Sequence, residues 1–504
     1  MPPSSNFLAG MRVASVLAML LAASGCMVGP NYKRPAAAVP PAFKEPPPPN
    51  FKEAEAAGWK QSQPGDAYSK GRWWELYNDA ALNALEEQVG VSNQNVLQAE
   101  AQYRQAKAAV SVARAALFPV ASTSPSITAG GSGGGGAAGS TSGISASGTL
   151  NHTSFNLPFN VSWEPDLWGN IRRSVTASAA TAQSLAAAVA NARLLYQAEV
   201  AEDYFALHGS DAEAELLTRT EASYEEFLLL TQNRFKFGIA SDLDVAQAET
   251  QLYGVQAQLE DLGVQRAAFE HAIAILTGKA PAEVTIPPVA LNILPPPVPA
   301  AVPSELLERR PDIAGSERQV AAANEQIGIA MAAFYPNLSL TASAGLENSS
   351  IAKWFTWPSR FWSVGPQLAE TLFEGGRRRG VVVEQRAAYD ATVASYRQTV
   401  LTAMQQVEDN LAALRILEGE AAKIEQTVQS ATRALDVSAA QYKAGTASYL
   451  TVITSQAALL NADVTAVNLL TRRLTASVLL IEALGGGWNA SELPTRQDVA
   501  ARQR

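Results

Sequence analysis

The 504-residue chain has one cysteine, Cys26, and only three histidines, His152, His208 and His271, which are scattered. A lone thiol excludes a disulfide framework and a thiolate metal site. No acidic cluster has metal-ligand spacing, so neither a metal nor another cofactor is expected. The formal net charge is −9 and no long basic block is present, which argues against a nucleic-acid partner. Past the N-terminus no stretch has eighteen consecutive apolar residues, the usual signature of a membrane-crossing helix. No nucleophile–base–acid arrangement stands out either. An enzyme is not expected.

The N-terminus accounts for the cysteine. Arg12 is the only charged side chain ahead of an apolar run from Val13 to Ala23, which ends Ala-Ser-Gly-Cys. A short basic start, an apolar core too short to span as a mature helix, and small residues before the cut describe a signal peptide over residues 1–25. Small residues followed directly by Cys resemble the lipobox of bacterial lipoproteins, although Ala23 stands where Leu is more usual. In that class cleavage leaves the cysteine as an acylated first residue. The resemblance implies lipidation of Cys26, and Met27 rather than Asp after it implies sorting to the outer membrane. An ordinary signal peptide with a chance cysteine is the alternative. Residues 26–71 are rich in Pro, Ala and Lys and read as an extended, lipidated tether with little core.

Beyond the tether the chain is duplicated. From Glu305 an Ala-rich helical pattern runs to Phe334-Tyr335-Pro336 and then becomes strict alternation. Leu338, Leu340, Ala342 and Ala344 oppose Asn337, Ser339, Thr341 and Ser343. The proline causes the switch: it bars the helix from continuing and pushes its predecessor toward extended geometry. The same handover occurs at Leu117-Phe118-Pro119. Each half reads helix, strand, loop, strand, helix, turn, helix. The first repeat covers 72–280 with a strand hairpin at 120–165, and a proline-rich connector covers 281–303. The second repeat covers 304–487 with a hairpin at 337–369, and 488–504 is a polar tail. The Gly/Ser tract from Gly130 to Gly148 is loop by composition. The long helices are expected to turn at His208 to Asp211 and at Glu418-Gly419. Two further interruptions, RFKFGIASDLDVAQAE and QYKAGTASYLTVITSQ, pair Gly238 with Gly445 and Ser241 with Ser448 at one offset. Glycine can end a helix and serine cap the next, so these are expected to divide a helical tube into two tiers.

Leu157, Phe159, Val161 and Trp163 alternate with polar neighbours, as do Trp362, Val364, Pro366 and Leu368. A barrel that holds water inside lipid requires this pattern; a half-buried strand of a soluble sandwich also shows it. Trp354, Phe355, Trp357, Phe361 and Trp362 suit a membrane-interface belt. Four strands cannot close a barrel, and unpaired edges in lipid cost several kcal/mol per backbone group. Three chains would supply about twelve strands. The helical pattern from Asp211 to Leu276 would extend roughly 100 Å if straight. The expected fold is therefore a mixed α and β membrane protein, internally duplicated. Each chain adds four strands to a trimeric twelve-stranded β-barrel that continues into a long periplasmic α-helical barrel.

The block LLERRPDIAGSERQVAAANEQIGIAMAAFYPNLSLT, the opening WWELYNDAALNAL, both interruptions and the closing ALGGGW resemble the TolC-like outer-membrane efflux factors, in their NodT-type lipoprotein branch. The likeness covers essentially the whole mature chain. It implies the exit duct of a tripartite pump, a homotrimer working with a periplasmic adaptor (membrane fusion) protein and an inner-membrane transporter of the resistance-nodulation-division (RND) class. Type I protein secretion is the runner-up, and a trimeric surface adhesin or an outer-membrane enzyme the more distant rivals. A duct must close when idle, and the turn end of the helices is the natural constriction. Glu202 and Asp203 precede one expected turn, and Glu408 and Asp409 the other, with Arg415 further on. Threefold copies of such carboxylates would repel one another and raise one another's pKa. By resemblance Asp409 is the first choice for the gate; a solvated helix face is the competing reading for each.

Overall fold

Two prolines divide each half of the chain between helix and strand, and the structure, a computed structural model, follows that division. It describes residues 27–37, 39–45, 71–132, 150–289, 291, 293–296 and 306–500. Cys26, the signal-peptide span and most of the Gly/Ser tract lie outside the described residues. The elements are α1 (Ala80–Ser92), α2 (Gln94–Ala115), β1 (Val120–Thr123), β2 (Ser126–Ser132), β3 (Leu150–Trp163), α3 (Asn170–Lys236) and α4 (Asp242–Leu276). The second half supplies α5 (Leu306–Arg309), α6 (Pro311–Ala332), β4 (Asn337–Asn348), β5 (Arg360–Ala369), α7 (Arg377–Lys443), α8 (Tyr449–Ala483) and α9 (Arg496–Ala500).

Local chemistry sets the boundaries. Asp79 caps α1 by accepting from the Ala81 and Leu82 amides, and Asn93 splits the expected single helix by capping α2. Pro311 opens α6 at a position where its missing N–H costs nothing. α3 and α7 are each 67 residues long, and α4 and α8 each 35, so the duplication holds residue for residue in these four helices. At 1.5 Å rise per residue the longer rods extend about 100 Å.

The expected turns at His208 to Asp211 and Glu418-Gly419 do not form; α3 and α7 run straight through them. Packing decides this. Gly209 is buried, and a Cβ there would collide with Thr471 of α8, so the glycine marks a close helix approach. Ser210 Oγ returns to the Ala206 carbonyl, and Asp211 binds His208 (3.0 Å) and Arg266 (2.7 Å). Gly419 is exposed, and its cost of about 1 kcal/mol in a helix interior is offset where Leu417 buries against Leu469 and Ala476. The reversals fall instead at Gly238 and Gly445, so these interruptions do not break a tube into the two tiers expected but turn each helix back on itself. α3 with α4, and α7 with α8, are therefore antiparallel hairpins, and the rod once drawn from Asp211 to Leu276 spans the first turn.

The sheet has the order β1/β2–β3–β4–β5, all antiparallel. β1 and β2 are one strand broken at Ser124-Pro125, because both pair with β3 in a continuous register. Two expectations for the ends are corrected. The described part of the expected tether, residues 27–37 and 39–45, is not free: Tyr32, Val39 and Phe43 pack on the main core, and Tyr32 donates to Glu317, while 46–70 lie outside the described residues. Nor is the tail free. Val499 is fully buried against α2 and α3, and Gln183 donates to the Pro494 carbonyl at 2.9 Å.

One core group is unmatched. Glu86 of α1 is 0% exposed and neither carboxylate oxygen has a hydrogen-bond partner. Burial pushes its pKa well above the ordinary glutamate range. Below about pH 4.5 the carboxyl is neutral in both folded and unfolded chains. As pH rises, the unfolded chain ionises first and the fold loses stability. Glu86→Met is expected to stabilise the protein by about 1–3 kcal/mol at neutral pH, with a gain that grows from pH 4.5 upward. Thermal melts from pH 4.5 to 8 test this, and a pH-independent difference contradicts it.

Candidate conduit and helical tips

The register sorts the strand residues by face. Phe159 pairs with Ala344, which pairs with Trp362; Val161 pairs with Ala342, which pairs with Val364. Directly opposed residues share a face, so these side chains with Leu157, Leu340 and Leu368 form one apolar surface. Phe159, Trp362, Val364 and Leu368 are 58%, 78%, 74% and 68% exposed. The other face carries Asn160, Ser162, Ser343, Thr341, Ser363 and Gln367, with Ser343 donating to Asn160 at 2.8 Å. A contiguous apolar face of this kind is unfavourable in water; lipid would cover it. In the β4–β5 connection Trp354 stacks near Phe155 and Phe355, and Phe355 and Trp357 stay exposed.

The base of the sheet joins the helices through aromatic and ionic contacts. Trp168 stacks on Tyr335 (4.8 Å) and donates to the Pro336 carbonyl. Val28 donates its amide to the Trp168 carbonyl, and Met27 lies against Gly169. The residue that follows Cys26 is thereby fixed at the junction of strand and helix. Beside it, Arg173 is 1% exposed at its side chain, pairs with Glu325 (2.6 Å) and donates to the Val28 carbonyl (2.7 Å).

At the opposite end are the two hairpin turns. Gly238 (φ +67°) and Gly445 (φ +76°) adopt the left-handed backbone that ends α3 and α7. Ser241 caps α4 in a capping box with Asp244, whereas Ser448 precedes α8 without a side-chain cap. Residues the sequence reading passed over hold the two tips together. Arg234 lies 4.3 Å from the centre of the Tyr442 ring and donates to the Lys443 carbonyl, Thr231 meets Tyr442 at 3.1 Å, and Lys443 pairs with Glu226. The repeated aromatic–Lys step before each glycine, Phe235-Lys236 and Tyr442-Lys443, was the available signal. Phe237, Ile239, Leu243 and Leu450 leave these tips with exposed apolar side chains. Gly445→Val is expected to cost about 1–2 kcal/mol through the left-handed backbone, and Ser241→Ala about 1 kcal/mol through the lost cap. Chemical denaturation of each variant measures both; an unchanged midpoint for Gly445→Val contradicts the turn assignment.

The turn-end rationale for the gate residues fails. Glu202, Asp203, Glu408 and Asp409 lie mid-helix, on the order of 50 Å from the tips at 1.5 Å per residue, because α3 and α7 continue past the expected turns. Glu408 accepts from the Lys44 and Glu45 amides (2.6 and 2.9 Å), and Arg415 pairs with Glu45 (2.7 Å). These two clasp the N-terminal segment. Asp409 is exposed, with Gln405 at 3.3 Å. Burial, and then the nearby Glu482, Asp203 and Glu199, push Glu202 up to about 7; burial and Glu199 push Asp203 up to about 6.

Sequence and structure comparisons agree with this geometry. Residues 85–279 and 302–486, the two repeats, match the outer membrane efflux protein family. The chain is 30% identical over 467 residues to the probable efflux pump outer membrane protein TtgC of Pseudomonas putida, covering 92% of this chain and 93% of that one. It is 31% identical over 484 residues to the outer membrane protein OprJ of Pseudomonas aeruginosa, covering 94% and 96%. Among solved structures, the outer-membrane channel OprN superposes with a TM-score of 0.79 at 26% identity, over 92% of this chain and all of that one. The chain belongs to the outer membrane efflux protein family.

Proposed function

We propose that three copies of the chain form the outer-membrane exit duct of a tripartite efflux pump that exports small toxic compounds. The observation that carries the reading is an asymmetry between twin helices. α3 has buried positions along its whole length, 24 in all, because α2 and α6 flank it near the sheet and α4 and α8 near the tips. α7 has the same length and the same place in its repeat but buries nine, none before Tyr396. α7 keeps α6, the counterpart of α2, on one flank; the neighbour it lacks is the counterpart of α6, and α2 of a second copy supplies one. The exposed edges of β5 and β1/β2 call for the same partner, and three chains give about twelve strands.

In this assembly the polar sheet face lines the lumen and the apolar face meets lipid. Lipidation of Cys26 would place acyl chains beside Met27 at the sheet–helix junction, at the inner face of the outer membrane. The helices then extend into the periplasm, and the apolar tips offer a surface for an adaptor protein that links the duct to an inner-membrane transporter, with the RND class the first choice. Asp409, Glu202 and Asp203 would act, if on the lumen, as a charged collar at mid-height. No enzymatic role is assigned. Deleting the gene should sensitise cells to several unrelated toxic compounds and raise their accumulation. Unchanged sensitivity across a broad panel, or a monomeric detergent-solubilised particle, overturns the reading.

A further inference from the structure

A cleft of about 1070 Å³ opens between α1, α2, α3 and the segment after α8, far from both the sheet and the tips. Ala186, Ala187 and Ala190 of α3 form one wall, and Trp74, Tyr103 and Trp488 give it aromatic sides. Most charges around it are paired with one another. Arg193 meets Glu100, and Arg72 meets Glu87 at 2.6 Å and Glu75 at 3.1 Å. Glu86 lines the same cleft and is the exception, a fully buried carboxyl with no partner on either oxygen.

A buried polar group without a partner costs stability, and natural folds keep few of them. A carboxyl in that state is completed by a donor carrying positive charge, since the ion pair gains two hydrogen bonds and neutralises the buried charge. We propose that this cleft is a binding site for a small organic cation, with Glu86 receiving its ammonium, amidinium or guanidinium group and the aromatic walls holding its apolar body. The volume suits a ligand of drug size. The site lies outside the conduit residues described above.

The proposal carries a proton signature. Burial favours the neutral form of Glu86, so an arriving cation must expel its proton. The ionisable groups around it are the Tyr77 hydroxyl, bonded to Ser477; Arg72 ahead of α1 and Glu87 of α1; Glu100, Tyr103 and Arg104 from α2; Arg193 from α3; and Glu492 from the tail. Of the three other carboxylates, Glu87 pairs with Arg72, Glu100 pairs with Arg193 and Glu492 is exposed, which leaves Glu86 as the group that releases the proton.

The test uses the full chain in detergent or nanodiscs, with titration calorimetry of benzamidinium against its neutral and anionic isosteres, benzamide and benzoate. Benzamidinium is expected to bind once per chain with a Kd of about 1 mM or tighter. Both isosteres should bind at least about tenfold more weakly, with about one proton released per benzamidinium bound when buffers of different ionisation enthalpy are compared. Glu86→Gln should weaken benzamidinium about tenfold or more and abolish the proton release. Ala190→Trp fills the cleft from the opposite wall, leaves Glu86 intact, and should block binding even if Glu86→Gln does not assemble. No binding of benzamidinium, equal binding of benzamide, or full affinity in Ala190→Trp overturns the proposal.

Discussion

Arg173→Ala is expected to cost about 3–5 kcal/mol of stability and to deplete the folded protein from membranes. The guanidinium is buried at the base of the sheet, where its Nη1 meets Glu325 at 2.6 Å and its Nε meets the Val28 carbonyl at 2.7 Å. Removing it strands the Glu325 carboxylate in a site 8% exposed, and an unpaired buried charge costs more than the pair ever contributed. The same deletion releases the chain just after Cys26, which that carbonyl contact helps to hold. Arg173→Lys should not rescue, since one ammonium on a flexible stem cannot reproduce two donors at fixed angles. Gly328→Ala provides an independent check: its methyl would overlap the guanidinium, so it should be damaging with both charges still present. Glu325→Gln leaves the buried guanidinium without its counter-charge and should be damaging in the same way, since arginine keeps its charge. Thermal unfolding by circular dichroism ranks the four; an Arg173→Ala change below roughly 0.5 kcal/mol, the range of ordinary surface substitutions, would refute the assignment.

What the sequence made legible is what local rules govern. The proline switches at Pro119 and Pro336 place the strand starts at Val120 and Asn337, because a proline acts on its own backbone. Alternation along Leu157 to Trp163 gives the apolar face for the same reason, period 2 being a property of the strand itself. The helix reversals were misplaced because glycine has two uses that look alike in one dimension. Gly209 admits Thr471 and Gly238 takes a left-handed turn; only the neighbours distinguish them.

The candidate gate was less legible still, for it rested on those reversals. Once α3 and α7 continue, Glu408 and Arg415 find partners in Lys44 and Glu45, more than 360 residues away in sequence. The Pro-rich N-terminal segment gave no sign of this, since its composition reports stiffness and says nothing of what a nearby groove will accept. Such a segment also has a physical advantage as a strap: its backbone has little entropy to lose when it docks. The tail after ALGGGW, read as polar, likewise docks, with Val499 buried and Ala500 packed beside it.

Ala394→Arg is expected to abolish the assembled oligomer while leaving the protomer's own contacts intact. Ala394 is the α7 counterpart of Ala187 of α3, given equal helix lengths and the matched turn glycines. Ala187 is 1% exposed and lies where a Cβ at Gly315 of α6 would meet it at 3.4 Å, so that helix pair depends on small side chains. Ala394 is exposed in the single chain. Judged from the protomer alone, an exposed Ala-to-Arg change on a helix is worth less than roughly 0.5 kcal/mol. If duplication places α2 of a neighbouring copy against α7 as α6 lies against α3, the same change forces a guanidinium into a close helix–helix seam. Overpacking and an unpaired buried charge then each add a penalty of roughly 1–5 kcal/mol, repeated at every seam of a ring. Mass measurement of the detergent-solubilised particle distinguishes the two cases by orders of magnitude in the assembled fraction. A variant that assembles like the parent would show that α7 keeps its bare flank, and that the two halves of this chain do not repeat between copies the arrangement they show within one.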